Sequence, residues 1–168
     1  AVLLGDDIID ARDPLLNRML EIHQQTGDNV IALMEVPAEQ ISLYGCASVT
    51  ATDSDSVIVT DLVEKPAPGT APSNYAVIGR YVLRHEMFQI LEETAPGRGG
   101  EIQLTDALQH AAKHTGIAGG VRGVIFTGRR YDTGDKLDFI KATIKIASDR
   151  EDIGPDLKDW LKEYTKSL

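Results

Sequence analysis

The chain has 168 residues, 42% hydrophobic and 26% charged, enough apolar material for one sizeable core and too much for a disordered tail. A formal net charge of -9 argues against a nucleic-acid partner, because a surface that tracks phosphates needs excess Lys and Arg. The single cysteine, Cys46, excludes an intrachain disulfide framework and a multi-cysteine zinc site and suits a reducing, cytoplasmic setting; no apolar run reaches the length of a membrane span and no signal peptide is visible.

Ala1 to Leu4 is a continuous apolar run that ends in Gly5-Asp6-Asp7, the pattern of a buried, parallel-type strand followed by a turn. Ligands of open α/β sheets bind beyond the carboxyl ends of the strands, so two adjacent acids there are candidate hard-oxygen ligands for a divalent cation; the plain alternative is a polar turn. The first residue already lies in a core-type strand, which suggests a fragment. Asp13-Pro14 reads as N-cap and N1 of a helix with Leu15, Leu16, Met19, Leu20 and Ile22 at helical spacing, stopped near Gly27. Val30 to Val36 is a second buried strand, so strand, helix and strand make a βαβ unit and favour a parallel sheet with a right-handed crossover.

Pro37 to Leu43 is a connector, and Tyr44 to Val49 starts a strand. Thr52 to Asp55 forms a polar tip before Val57 to Val63, which is hairpin grammar. Asp53 and Asp55 have the Asp-x-Asp spacing of a metal motif, but on a hairpin tip they read as exposed. Glu64-Lys65-Pro66 closes that strand. Tyr75 to Leu83 is the next, interrupted by Gly79, which marks either a bulge or close approach of a ligand. Helices are expected over residues 85–93 and 103–114, separated by the flexible loop 96–100. Residues 119–126 form a further strand, and the run from Gly128 to Asp135 enters a long helix to about Ser148. A last helix, 155–168, carries the apolar stripe Leu157, Trp160, Leu161, Tyr164 and Leu168, which packs on its own core or on a partner subunit.

His110 and His114 stand four apart on one helix but lack the Glu of a His-Glu-x-x-His motif, and read as a solvated face. Cys46, among small residues in a strand, reads as a packed thiol. Arg98 lies between glycines before a helix and is either an anion cradle or part of a mobile loop. No Walker loop, nucleophile elbow or complete Gly-x-Gly-x-x-Gly is present. Charged residues at strand ends are more informative: Asp6, Lys65 and Asp132 can converge along one sheet edge. Two acids and a lysine suit phosphate and metal chemistry, or else form a structural ion-pair cluster.

Leu4-Gly5-Asp6-Asp7, Tyr44-Gly45, Val63-Glu64-Lys65-Pro66, Tyr75-Ala76-Val77-Ile78-Gly79-Arg80-Tyr81, Gly100-Glu101-Ile102-Gln103-Leu104-Thr105-Asp106 and Gly128-Arg129-Arg130-Tyr131-Asp132-Thr133-Gly134 occur in this order. Together they closely resemble the bacterial UTP-glucose-1-phosphate uridylyltransferases of the sugar nucleotidyltransferase family. The resemblance covers the later, sugar-binding part of such an enzyme, residues 1–168 being one portion of a single nucleotidyltransferase domain. The family's opening strand and Gly-rich triphosphate loop have no counterpart here, so the isolated chain is expected to be inactive.

The resemblance implies an α/β, Rossmann-like fold with a mixed, mainly parallel sheet flanked by helices. It implies transfer of a uridylyl group from UTP to glucose 1-phosphate, giving UDP-glucose and pyrophosphate, with Mg²⁺ as cofactor. By that analogy Asp6 and Asp132 hold the metal and Lys65 grips the sugar phosphate, Asp6 and Lys65 being the catalytic pair. Glu64 accepts hydrogen bonds from sugar hydroxyls, Gly45, Val77 and Gly79 line the hexose, and Asp7 touches the sugar or shapes the turn. A homo-oligomer, dimer or tetramer, is implied, with no nucleic-acid or membrane partner. Sister thymidylyltransferases usually carry Arg immediately before the Gly-Glu pair and a Trp-Leu-Asp-Thr-Gly run. Here Gly99 precedes Gly100-Glu101 and the later run is Arg-Tyr-Asp-Thr-Gly, which favours uridylyl transfer. A thymidylyltransferase acting on a hexose 1-phosphate, a non-catalytic sugar-phosphate-binding regulatory module and a subunit-interface domain are the other readings.

Overall fold

A computed structural model describes residues 1–10, 12–52 and 56–168, apart from the side chains of Arg98 and Ile117. The Asp53 and Asp55 pair lies outside the described residues. The chain divides into two compact units: residues 1–4 with 11–128, and residues 5–10 with 129–168.

The larger unit is a six-stranded sheet with helices packed on it. In chain order its elements are β1 (Val2–Leu3), α1 (Leu15–Thr26), β3 (Asn29–Glu35), β4 (Gly45–Ala51), β5 (Ser56–Glu64), β6 (Tyr75–Val82), α2 (Met87–Glu93), α3 (Leu104–Lys113), α4 (Thr115–Ala118) and β7 (Val121–Ile125). The smaller unit supplies β2 (Asp7–Ile9), β8 (Arg130–Asp132), α5 (Lys136–Asp149) and α6 (Gly154–Lys166).

The large sheet runs β1-β6-β3-β7-β5-β4. It is mixed, as expected, but the balance of directions is not: among the described pairings only β3 with β7 is parallel, whereas β1–β6, β3–β6, β5–β7, β4–β5 and β4–β6 are antiparallel. The cause is local. The short tip between β4 and β5 permits only antiparallel return, and β6 slots between β1 and β3 in the reverse direction. β1 and β3 therefore point the same way, but the βαβ unit read from the sequence is split by an intruding strand.

Nor is β1 buried. It sits at the sheet edge with Leu3 51% exposed, because an all-apolar run marks a strand covered on both faces only where other elements supply the cover. β3 is central and buried through its first five residues. Ile31 and Leu33 join Leu62, Val77, Tyr81, Met87, Leu108 and Val121 in one core with α2 and α3. Val30 and Ala32 alternate to the opposite face, the one α1 covers with Leu15, Met19 and Ile22. Gly27, in the left-handed region, ends α1 and donates its N–H to His23 O at 2.8 Å.

Buried Asn29 fastens two chain crossings of this unit. Its Nδ2 donates to the carbonyls of Ala118 and Gly120, and its Oδ1 accepts from Arg84 N. Gly79 is accounted for by backbone geometry. The β3–β6 register shifts between Ile31 and Leu33, and opposite this bulge Gly79 has φ 60° while its carbonyl accepts from Leu4 N at 2.9 Å.

In the smaller unit β2 and β8 form an antiparallel ribbon, a strand pair the sequence pattern did not suggest. Asp135 caps α5 by accepting from Asp138 N at 2.9 Å, and α6 packs on α5. Trp160 and Tyr164 stack with centroids 5.2 Å apart on an exposed face of α6. Among the described residues no helix is long and apolar enough to cross a membrane.

Candidate functional site

Sheet register gathers three of the expected sugar-side residues in the larger unit. Gly45, the first residue of β4, pairs with Glu64, the last of β5, and Cys46 pairs with Ala76 of β6, which brings Val77 into line with Gly45 on its other side. The Val77 side chain belongs to the core, so its backbone is what this line presents. Gly45 is bare for a visible reason. A Cβ there would lie 3.2 Å from both Glu64 Oε2 and Thr105 Oγ1, tighter than an ordinary contact.

Those two atoms are bonded to each other: Thr105 Oγ1, in the first turn of α3, donates to Glu64 Oε2 at 2.6 Å. The other carboxylate oxygen, Oε1, lies 3.7 Å from Lys65 Nζ, with the Glu64 side chain 16% and the Lys65 side chain 47% exposed. A mostly covered acid thus stands beside an accessible cation. Lys65 has φ 44°, the one described non-glycine with positive φ, and it precedes Pro66. A bulky residue in that region is strained, and its N–H is tied to Tyr44 O at 3.1 Å, so the backbone turn after β5 is held by the residue before Gly45. One turn along α3 from Thr105, Gln109 Nε2 donates to Leu62 O and Asp61 Oδ1, both at 2.7 Å, clamping α3 to β5.

The smaller unit holds the other acids. The β2–β8 register sets Asp7 against Asp132, and the carbonyl of Asp6 accepts from both the N–H and the hydroxyl of Thr133, at 2.7 and 2.9 Å. The carboxylates of Asp6 and Asp132 both approach Gly134: a Cβ there would be 3.1 Å from Asp132 Oδ1 and 3.9 Å from Asp6 Oδ2. Asp7 is different. It is buried, and its carboxylate accepts from Arg130 Nε, while Arg130 Nη2 reaches Asp132 Oδ2 at 3.2 Å. Burial pushes the Asp7 carboxyl above its ordinary value, with the Asp132 and Asp6 charges adding to it, and Arg130 offsets only part. The geometry makes Asp7 an internal anchor of the ribbon.

Two acids converging on one glycine supply hard oxygen donors of the kind Mg²⁺ prefers. Among the described residues no group of three or more His, Cys, Asp or Glu gathers closely enough to hold a metal ion. Lys65 and Glu64 meet in one unit and Asp6 and Asp132 in the other. His110, in the last turn of α3, and His114, at its C-terminal cap, stack ring upon ring with centroids 4.5 Å apart. Cys46 is buried, with its Sγ donating to Ser73 O at 3.2 Å, the packed thiol expected. Thr105 and Arg130 were within the motifs quoted from the sequence, but no spacing rule singles out a hydroxyl forty-one residues from its acid.

A mixed sheet flanked by helices makes this an α/β protein. The nucleotidyl transferase family model matches residues 1–149, and the chain belongs to that family. It is 41% identical over 163 residues to the UTP–glucose-1-phosphate uridylyltransferase of Staphylococcus epidermidis, covering 97% of this chain and 55% of that enzyme. It is also 41% identical to the enzyme of the same name from Streptococcus pneumoniae serotype 4, over 99% of this chain and 56% of that enzyme. Among solved structures it is similar to UDP-glucose pyrophosphorylase complexed with UDP-glucose, with TM-score 0.80 and 37% identity, covering 88% of this chain and 55% of that one. UTP-bound UGPase from Acinetobacter baumannii gives TM-score 0.80 at 30% identity, covering 96% of this chain and 55% of that one. The chain thus spans about half the length of the relatives it matches.

Proposed function

We propose that this chain is the sugar-phosphate half of an enzyme that transfers a uridylyl group from UTP to glucose 1-phosphate. The observation that carries the reading is the Glu64–Lys65 pair at the end of β5, with Gly45 bare beside it. It combines a partly covered hydrogen-bond acceptor with an exposed ammonium, the two groups a hexose phosphate needs. In the reaction an oxygen of glucose 1-phosphate attacks the α-phosphorus of UTP. The bond to the bridging oxygen breaks and pyrophosphate leaves with its electron pair.

Such chemistry asks the protein for alignment and charge neutralisation rather than covalent help. Lys65 neutralises and holds the sugar phosphate, its side chain about half exposed beside Glu64 and its backbone pinned through Tyr44. Glu64 accepts from hexose hydroxyls and so fixes the ring, while Gly45 and the Val77 backbone leave the ring room. Asp6 and Asp132 are the residues that would hold Mg²⁺, which when bound neutralises phosphate charge and polarises phosphoryl oxygens. Asp7 and Arg130 keep the ribbon that carries both acids rigid.

The test is a pair of substitutions in the full-length protein. Asp6→Asn is expected to lower turnover at least about hundred-fold with an unchanged unfolding midpoint. Lys65→Ala is expected to raise KM for glucose 1-phosphate more than KM for UTP. Unchanged UDP-glucose formation by the Asp6→Asn variant would refute the metal assignment, and equal changes in both KM values would refute the role of Lys65.

A further inference from the structure

Glu64 has three rotatable side-chain bonds, and an acid that must meet several hydroxyls in fixed directions loses affinity if it has to be ordered by its ligand. In this chain it is ordered beforehand. The 2.6 Å contact from Thr105 Oγ1 to Glu64 Oε2 is in the short range of charge-assisted hydrogen bonds. Thr105 in turn sits on a helix whose Ala107, Leu108 and Ala111 are buried and whose Gln109 is bonded to Leu62 O, so the hydroxyl has a fixed origin. We propose that Thr105 is a positioning residue: it holds Glu64 Oε2 so that Oε1 stays beside Lys65 for the ligand, and Gly45 lacks a side chain in order to leave this bond undisturbed.

The inference rests on the assignment of Glu64 to the hexose made above. It adds a requirement that assignment does not contain, namely a hydroxyl at position 105. An aliphatic residue of equal size would fill the same space and leave Glu64 free to swing.

The experiment uses Thr105→Val, Thr105→Ser and Glu64→Gln, singly and as the Thr105→Val/Glu64→Gln double variant, in the full-length protein with UTP and glucose 1-phosphate. Thr105→Val is expected to raise KM for glucose 1-phosphate about ten-fold, the share of one charge-assisted hydrogen bond, with KM for UTP and kcat within about two-fold. Thr105→Ser is expected to recover most of that loss. In the Glu64→Gln background Thr105→Val should add markedly less, because the amide oxygen accepts only a weaker, neutral hydrogen bond in place of the charge-assisted one. Equal losses for the Val and Ser variants, or undiminished losses in the Glu64→Gln background, overturn the proposal. A parent protein that forms no UDP-glucose refutes the functional reading alone. The ligand-free urea midpoints of the parent, Thr105→Val, Glu64→Gln and the double variant then decide the positioning role: a midpoint shift from Thr105→Val that is larger beside Glu64 than in the Glu64→Gln background supports it, and equal shifts in both overturn it.

Discussion

Replacing Gly45 with Ala isolates the sugar end of the site with the smallest possible change. The residue's backbone is not in the left-handed region, so alanine meets no conformational penalty there, and within a strand it normally gains about 0.5–1 kcal/mol over glycine. Against this, the new methyl would sit 3.2 Å from both Glu64 Oε2 and Thr105 Oγ1, atoms only 2.6 Å apart, and 3.5 Å from Thr105 Cγ2. A few tenths of an ångström of retreat by either atom lengthens the bond between them, and a hydrogen bond to a charged group contributes about 1.5–3 kcal/mol. Because the retreat weakens that bond without abolishing it, a loss of roughly half of it offsets the gain to within about 1 kcal/mol in stability, but nothing offsets the displaced acid in binding. KM for glucose 1-phosphate is therefore expected to rise about ten-fold while the urea midpoint barely moves. Steady-state kinetics beside urea unfolding reads both. An alanine variant with wild-type KM, or one losing more than about 3 kcal/mol of stability, would refute the reasoning.

In the smaller unit, Arg130→Met strands the buried Asp7 carboxylate and is expected to cost roughly 3–5 kcal/mol, read as loss of amide-exchange protection across β2 and β8; a cost below about 1 kcal/mol would contradict the anchor role. Asn29→Ala leaves Arg84 N–H and the Ala118 carbonyl without their buried partner and is expected to cost about 2–4 kcal/mol in urea unfolding, with KM values unchanged. The Arg84 guanidinium beside Glu86 holds that carboxyl down to about 2, from 4.5. Its contribution to stability is therefore complete above pH 4.5 and lost as pH falls toward 2, and a carboxyl NMR titration should show the low midpoint, returning toward 4.5 in Arg84→Gln.

Much of the fold is legible in the sequence. α1 announced itself through Pro14, its 3.6-residue stripe and Gly27, and the hairpin of β4 and β5 through its polar tip. The acids and the lysine stand out in the sequence as candidates because ligands of α/β proteins bind at strand ends. What escaped had non-local causes. β1 reads as buried because apolarity records what a strand would like to meet, whereas its place at the sheet edge is decided by β6, some seventy residues on. The three-residue β8 is too short for periodicity and exists through its pairing with β2. At Gly79 a lone glycine in a strand pattern suggests a bulge, but only the register against β3 shows where it lies. Asp7 looked like the twin of Asp6, and only the pleat of the ribbon separates a buried anchor from an acid facing Gly134. Thr105 was invisible as a partner of Glu64 because its role depends on where α3 docks.

The most direct measurement is product formation by the full-length protein supplied with UTP, glucose 1-phosphate and Mg²⁺. UDP-glucose and pyrophosphate in equal amounts, with dTTP a markedly poorer donor and with Lys65→Ala needing far more glucose 1-phosphate, is the predicted result. Binding of glucose 1-phosphate without any pyrophosphate release would contradict it and mark the chain as part of a sugar-phosphate-binding module.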